Sequence, residues 1–262
     1  MNKLLIATAA VALATVGTAG AADLPMKAPP MAPPPVMTWT GCYISGGIGY
    51  GLWTQDHFGE TTTGLFQLEP NTTSGGRGWL GRVGVGCDYQ FSPSFLVGAF
   101  GDYDFMSLKG TWNDPLAAGP AVVGDEKEKA AWAAGLRLGY LPYPNLLTFV
   151  SGGWTQTRFD QISFATNTNP SIPLTTGIPE QTYSGWFIGG GTEYAVPWGG
   201  FHGLFWKTEY RFSSYRAVDV TEVVLATGAP IGLSDHMEKH VQTVTTSLVW
   251  RFNFGGPVVA RY

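Results

Sequence analysis

Between Thr243 and Phe254 the chain alternates with a period of two: Val244, Thr246, Leu248, Trp250, Phe252 and Phe254 are interleaved with Thr243, Thr245, Ser247, Val249, Arg251 and Asn253. That period puts the two sets on opposite sides of a β-strand, one face apolar and the other mostly polar. Eight segments can be read this way. The first, about Gly41 to Trp53, sets Cys42, Ile44, Ile48, Tyr50 and Leu52 against Tyr43, Ser45, Gly47, Gly49 and Gly51. The second turns Trp79, Val83, Val85, Cys87, Tyr89 and Phe91 outward and Arg82, Gly84, Gly86, Asp88 and Gln90 inward. In the third, Phe95, Val97, Ala99 and Tyr103 oppose Asp102 and Asp104; in the fourth, Trp132, Ala134, Leu136, Leu138 and Tyr140 oppose Ala133, Gly135 and Arg137. The fifth, around Leu146 to Phe159, carries large apolar residues on both faces, and Leu146, Val150 and Trp154 are assigned to the outside. The sixth opposes Trp186, Ile188, Tyr194 and Val196 to Gly189, Gly191 and Glu193, and the seventh opposes Leu204, Trp206, Tyr210 and Phe212 to Lys207, Glu209 and Arg211.

Connections between these segments alternate in length. Short turns fall at Ser92-Pro93-Ser94, Pro142-Tyr143-Pro144 and Pro197-Trp198-Gly199-Gly200, whereas Thr54 to Gly76, Ser107 to Glu128, Asp160 to Gln181 and Ser213 to Lys239 are polar stretches. The pattern predicts an all-β fold: an eight-stranded antiparallel transmembrane β-barrel with four long extracellular loops and short periplasmic turns. An even strand number leaves both termini in the periplasm.

Composition points the same way. Charged residues are 13% of the chain, where about a quarter is usual, while Gly contributes 36 of 262 residues and aromatics 14%. So few charges fit a surface partly wetted by lipid. Mean hydropathy is only +0.04, and beyond the leader no run of eighteen or more apolar residues offers a spanning helix. Backbone groups in lipid must be satisfied by a helix or a closed barrel, so the barrel remains. A net charge of -4 without a Lys/Arg cluster argues against nucleic acid as a partner.

The N-terminus joins Met1-Asn2-Lys3 to an apolar run from Leu4 to Val16 and then Ala19-Gly20-Ala21. A basic start, an apolar middle and a small-residue exit read as a secretory signal over residues 1–21, cleaved after Ala21 or else after Ala22. Residues 22–38 hold Pro25, Pro29, Pro30, Pro33, Pro34 and Pro35, a composition for an extended periplasmic linker. The barrel is then expected over residues 39–254, with a tail at 255–262.

Four stretches carry a likeness to a known family: Ala22-Asp23-Leu24-Pro25, Trp39-Thr40-Gly41-Cys42-Tyr43-Ile44, Gly84-Val85-Gly86-Cys87-Asp88-Tyr89-Gln90-Phe91 and Trp250-Arg251-Phe252-Asn253-Phe254. In these the chain resembles the alphaproteobacterial small outer-membrane β-barrel family, the Omp25/Omp31-like and porin-family proteins, with an architecture like that of OmpA and OmpX. The resemblance spans almost all of the mature chain and implies the fold and a place in the cell outer membrane of a Gram-negative bacterium. Envelope integrity, slight pore activity and hemin binding are the roles associated with that family.

On the expected inner face lie Arg82, Arg137, Lys207, Arg211 and Arg251 against Asp88, Asp102, Asp104, Glu193 and Glu209. An eight-stranded barrel is just wide enough for its own side chains. Unpaired buried charges cost several kcal/mol, so the two signs are expected to pair and fill the interior rather than line an open channel. Asp102 and Asp104 share a face, as an acid/base pair would, but no nucleophile with a positioned base accompanies them. No enzyme activity, cofactor or metal site is expected.

His57, His236 and His240 fall in the stretches read as surface loops, where hemin or metal ligation is the chemistry to consider, and His202 is the fourth histidine. Along a strand, His236 and His240 would lie about 13 Å apart, too far for one ion. Gly47-Ile48-Gly49 and Gly84-Val85-Gly86 open no helix and read as strand glycines that leave room for bulky inner neighbours such as Arg82. Cys42 and Cys87 lie toward the same rim, on neighbouring strands and the same face, so a disulfide bond is expected.

Asp125-Glu126-Lys127-Glu128-Lys129 reads as a solvated loop and strand extension, with lipopolysaccharide or divalent-ion contact as the alternative, and Asn71-Thr72-Thr73 as a chance glycosylation sequon. Leu248, Trp250 and Phe252 resemble the closing signal read by the barrel-assembly machinery; because residues follow Phe252, Tyr262 is the other terminal candidate. The reading that joins these features is an outer-membrane barrel for envelope integrity and surface presentation. Its partners are outer-membrane lipid, lipopolysaccharide and, during insertion, the assembly machinery. The alternatives are a small porin with weak passive channel activity and a receptor for hemin or a host ligand.

Overall fold

The computed structural model describes residues 38–63, 66–68, 70–114, 122–166, 169–196 and 203–252. The expected signal peptide, nearly all of the linker, the tail, the turn at 197–200, His202, Asn253 and Phe254 lie outside the described residues. Ten strands follow one another: β1 (Gly41–Thr61), β2 (Thr72–Ser92), β3 (Phe95–Asp114), β4 (Val122–Tyr143), β5 (Leu146–Phe159), β6 (Ile162–Thr166), β7 (Asn169–Ile178), β8 (Gln181–Ala195), β9 (Leu204–Val224) and β10 (Ala229–Phe252).

Their pairing makes a ring of eight. Neighbours from β1 to β5 pair in sequence order; β5 then pairs with β8, β8 with β9, and β9 with β10. The last strand returns to the first in an antiparallel ladder from Cys42 opposite Phe252 to Thr61 opposite Leu233. Strands β6 and β7 prolong β5 and β8 past breaks at Asp160–Gln161 and Pro179–Glu180, the second at a proline that has no N–H to donate. Above the breaks, β6 pairs with β4 and β7 with β9, so the same two neighbours receive the extension. Among the described residues no helix is long and apolar enough to cross a membrane.

The outward face carries a continuous apolar belt. It comprises Ile44 to Leu52 on β1, Trp79 to Phe91 on β2, Phe95 to Phe105 on β3 and Trp132 to Tyr140 on β4, each through alternate residues. Val150 and Trp154 on β5, Trp186 to Tyr194 on β8, Trp206 and Tyr210 on β9, and Val244 to Phe252 on β10 complete it. These are the membrane-spanning segments. Trp79 is 67% and Leu136 63% exposed, a degree that water would not tolerate over so wide a surface. A tilted strand crosses the hydrocarbon in about 9–11 residues, whereas β1 and β2 have 21 each and β10 has 24. About half of each long strand therefore stands beyond the belt.

This corrects the loop boundaries read from the sequence. Residues 54–76, 107–128, 160–181 and 213–239 are strand over much of their length: β1, β3, β6 and β9 run on to Thr61, Asp114, Thr166 and Val224, and β2, β4, β7 and β10 begin at Thr72, Val122, Asn169 and Ala229. Beyond the belt the outward residues become polar, as with Thr54 and Asp56, while inward Gln55 and His57 are polar too. The contrast that marks a strand disappears there although the hydrogen-bonded ladder continues.

Cys42 and Cys87 stand directly opposite each other on β1 and β2, with Cα atoms 3.9 Å apart, and form a disulfide. The bridge closes a 45-residue separation near the rim where the strands begin and end. Restricting the unfolded chain over such a loop contributes up to about 4 kcal/mol. Replacing both cysteines by serine should lower the urea midpoint of the refolded barrel while leaving its compact gel mobility intact. An unchanged midpoint would show that the bridge contributes nothing.

Candidate functional site: the filled lumen

Alternate residues of eight strands converge on the barrel axis, so the interior is the place where distant sequence meets. At the rim where β1 begins and β10 ends, Trp39, Tyr43, Leu96, Leu147, Phe149, Phe205 and Val249 pack into one apolar cluster. Trp39 is anchored from both sides. Its backbone N–H donates to Gln90 Oε1 at 3.1 Å and its indole N–H to the Pro144 carbonyl at 3.1 Å.

Against this cluster lies a lattice of two cations and two anions from four strands. Arg137 on β4 donates through Nε to Asp88 Oδ1 of β2 at 2.8 Å and pairs again through Nη2 with Asp88 Oδ2, while its Nη1 reaches Glu193 Oε2 of β8 at 3.3 Å. Arg251 on β10 donates to the same two acids, to Asp88 Oδ2 at 2.7 Å and to Glu193 Oε1 at 2.8 Å. Tyr43 supplies an aromatic face to both guanidinium groups, 4.6 Å from Arg137 and 5.0 Å from Arg251. Space for this depends on Gly98, where a Cβ would overlap the Asp88 carboxylate.

Deeper along the axis a second network joins three cations to three anions. Arg82 grips Asp104 with two hydrogen bonds of 2.6 and 2.7 Å, and Arg211 grips Asp102 in the same forked manner at 2.8 and 2.7 Å. Glu209 links them, 2.8 Å from Arg211 Nη2 and 3.7 Å from Arg82 Nη1, and forms an ion pair with Lys207 Nζ at 3.4 Å. The two networks thus hold Arg82, Asp88, Asp102, Asp104, Arg137, Glu193, Lys207, Glu209, Arg211 and Arg251. Asp102 and Asp104 each face a guanidinium of their own, Arg211 and Arg82.

The apolar layers beyond the second network have no counterpart in the sequence reading. Trp53, Leu80, Met106, Leu108, Phe159, Tyr183, Tyr215 and Val241 form a second apolar layer, and Trp112, Ile162, Phe164, Ile178, Val220 and Met237 a third. Between the second network and the second layer, a void bounded by Arg82, Asp104, Met106, Glu128 and Tyr215 has a volume of about 10 Å³, room for roughly one water. Next to these layers the Lys239 ammonium is fully buried and pairs with Glu126 and Gln55. It is enclosed by the rings of Phe159, Tyr183 and Trp53 at 4.1, 5.0 and 5.2 Å. Glu128, also fully buried, accepts the Thr157 hydroxyl at 2.6 Å.

A register shift sorts the charges here. Strands β4 and β5 slip between Glu128 and Ala130, and β3 and β4 slip between Phe105 and Leu108. Below the shift the odd residues Ala131, Ala133 and Arg137 face inward; above it the even residues Gly124, Glu126 and Glu128 do. The bulge therefore sends two glutamates to Lys239 and turns Lys127 and Lys129 outward. A ruler of strict alternation misplaces all four. Gln55, Lys239 and Met237, by contrast, continue the inward parity of β1 and β10 and were open to detection.

The histidines do not form one site. His57 points into the lumen, buried and stacked on Trp112 at 5.0 Å, which corrects its placement in a surface loop. His236 and His240 are on β10 rather than in a loop; His236 lies 2.5 Å from Asp219 and stacks on Phe58, and His240 stacks on Phe212. Among the described residues no group of three or more His, Cys, Asp or Glu is arranged to hold a metal ion. Leu248, Trp250 and Phe252 stand on the lipid face of β10.

A belt of exposed apolar residues around a closed ring with a filled interior is the architecture of a membrane barrel, and relatives of the sequence agree. The chain is 27% identical over 206 residues to the "31 kDa outer-membrane immunogenic protein" of Brucella melitensis and to the protein so named from Brucella suis, covering 75% of this chain and 81% of each relative. The chain is a homologue of these outer-membrane proteins. No family model matches it. Among solved structures, the outer membrane protein OprG from Pseudomonas aeruginosa is 10% identical with a TM-score of 0.48, over 81% of this chain and 97% of that one. As an outer-membrane β-barrel, the homologue places its apolar belt in lipid and its ion lattices on the axis.

Two outcomes test the lumen. Removing one member of a buried, paired lattice leaves a charge without its counterion, so Arg137→Ala should cost about 3–5 kcal/mol. Adding Asp88→Asn should recover part of that loss in urea unfolding; no recovery would mean the cost is packing alone. Glu128 lies beyond the membrane-spanning part of β4, and burial pushes its carboxyl up to about 8 against the opposing Thr157 hydrogen bond and Lys239 charge. A carboxyl raised in the folded state disfavours folding once the unfolded chain ionises, so its contribution is present below pH 4.5 and is lost as pH rises toward about 8. Glu128→Gln should therefore gain stability over the wild type progressively across that window. A difference that does not vary with pH would refute the assignment.

Proposed function

We propose that this homologue is a closed, non-conducting barrel that contributes to envelope integrity and presents its long strand extensions at the cell surface, without catalytic activity. The observation that carries this reading is the succession along the axis of apolar layers and neutralised ion lattices, with the four-residue Asp88, Arg137, Glu193 and Arg251 lattice joining four strands across the lumen. An ion following the axis would have to break several buried pairs and then enter layers lined by Trp, Leu and Phe. Each step desolvates it, and the lattices are balanced without it.

The placement of both termini in the periplasm is supported by the turns at Ser92–Phe95 and Tyr143–Leu146, which share the rim where β1 begins and β10 ends, whereas strands β1, β2, β9 and β10 extend far past the belt at the other rim. Leu248, Trp250 and Phe252 serve in this reading as the signal for the assembly machinery, since a lipid-facing apolar series on the last strand is what that machinery would find exposed. Planar-bilayer recording tests the closed lumen. The refolded protein should give no discrete conductance steps at concentrations where it inserts; regular steps of one size would favour a small porin instead.

A further inference from the structure

Just above the apolar belt, three basic side chains stand side by side on consecutive strands of the outer face. Arg77 on β2 is directly opposite Lys109 on β3, and Lys109 is directly opposite Lys127 on β4. Arg77 and Lys109 are exposed and Lys127 partly so. Like charges in cross-strand register repel, and sheets avoid them unless something between them is negative. Among the described residues no carboxylate comes within ion-pairing distance of any of the three. The nearby Lys129 and Arg158 show the contrast, with Asp160 at 2.7 Å and Glu180 at 2.6 Å as their partners.

What lies beside the row is equally specific. Below it come the belt residues Trp79 and Phe105, and Leu52 on β1 is registered with Arg77. At the register shift, a cleft of about 570 Å³ opens between an aromatic wall of Tyr103 and Phe105 and a basic wall of Lys127, Lys129 and Arg158. Bulges are a common means of re-aiming side chains at a working surface. This one brings Lys129 onto the outer face beside Lys127, where strict alternation from Ala131 would have buried it.

We propose that the row Arg77, Lys109 and Lys127, with the adjoining cleft, binds the phosphorylated head of lipopolysaccharide while the belt below holds its acyl chains. The ligand must be an amphiphile, because cations and aromatic rings meet at one edge. It must carry several negative charges close together, because adjacent strands are about 4.8 Å apart and the row spans three of them. A phosphodiester lipid brings one charge and would leave two cations facing each other; a glycolipid with several phosphates matches the row. Phosphate oxygens accept from Lys and Arg in short, charge-assisted bonds, and the apolar surroundings strengthen them.

The inference rests on the reading that this rim of the barrel faces outward, and the two can fail separately. Labelling of a cysteine placed at Thr227, exposed on the β9–β10 connection at that rim, with a membrane-impermeant maleimide on intact cells reads orientation alone. Binding is read in detergent by native mass spectrometry of the full chain with diphosphorylated lipid A, the same glycolipid with its phosphates removed, phosphatidylglycerol and inorganic phosphate. The diphosphorylated form should bind best, and Arg77→Gln/Lys109→Gln/Lys127→Gln should weaken it at least roughly tenfold. If the triple variant does not keep the compact gel mobility of the folded barrel, Lys109→Gln alone, at the centre of the row, should still weaken binding about threefold. Equal binding of the dephosphorylated glycolipid, of phosphatidylglycerol or of inorganic phosphate would overturn the proposal, as would variants that bind like the wild type.

Discussion

A peptide group in hydrocarbon has no water to bond, so each N–H and C=O in the spanning part of this chain must find its partner inside the sheet. In a set of antiparallel strands that requirement has one solution, pairing the last strand with the first. The ladder between β10 and β1 runs from Cys42 to Thr61, nearly the whole of β1, with no slip in its register. Closure then dictates what each face does. Within the belt the outward side chains meet lipid and are mostly apolar, and the inward ones meet one another in a lumen that side chains fill.

How that space is filled decides what the barrel can do. Ten charged residues from β2, β3, β4, β8, β9 and β10 neutralise one another in two lattices, and the apolar layer of Leu80, Met106 and Val241 lies between these and a third polar centre at Lys239. Buried ion pairs add little net stability compared with apolar packing of the same volume, because each ion loses its water. Their effect here is to fix partners: Arg82 has a two-pronged fit to Asp104, and Arg211 to Asp102. A strand that slipped by one residue would turn these charges into lipid, so the lattices penalise wrong registers more than they reward the right one.

The eight spanning strands were legible because lipid enforces a strict contrast between faces. Trp79, Val83, Val85 and Tyr89 against Arg82, Gly84 and Asp88 admits one reading, and even the ambiguous fifth strand resolves with Val150 and Trp154 outside and Leu147 and Phe149 inside. Beyond the belt the contrast fades. Gln55, His57, Asp235 and Lys239 are buried polar residues on strand extensions whose outward neighbours are also polar, so they look like loop. Glu126 and Glu128 were hidden for another reason, a bulge that exchanges the faces of β4 without any mark in composition. The apolar layers of the lumen were missed because Leu80, Met106 and Val241 lie inward among residues read for their charge.

The claim on which everything else depends is that the sheet has no free edge, and disulfide trapping across the closing seam measures it. Ile48 on β1 lies opposite Thr246 on β10, both on the lipid face. With cysteines at these positions in outer membranes, mild oxidation followed by peptide mapping should recover a link between residues 48 and 246. The ring predicts that link in high yield and the native bridge between Cys42 and Cys87 retained beside it. Its absence, with residue 48 open to alkylation under the same conditions, would mean an open sheet and would contradict the account.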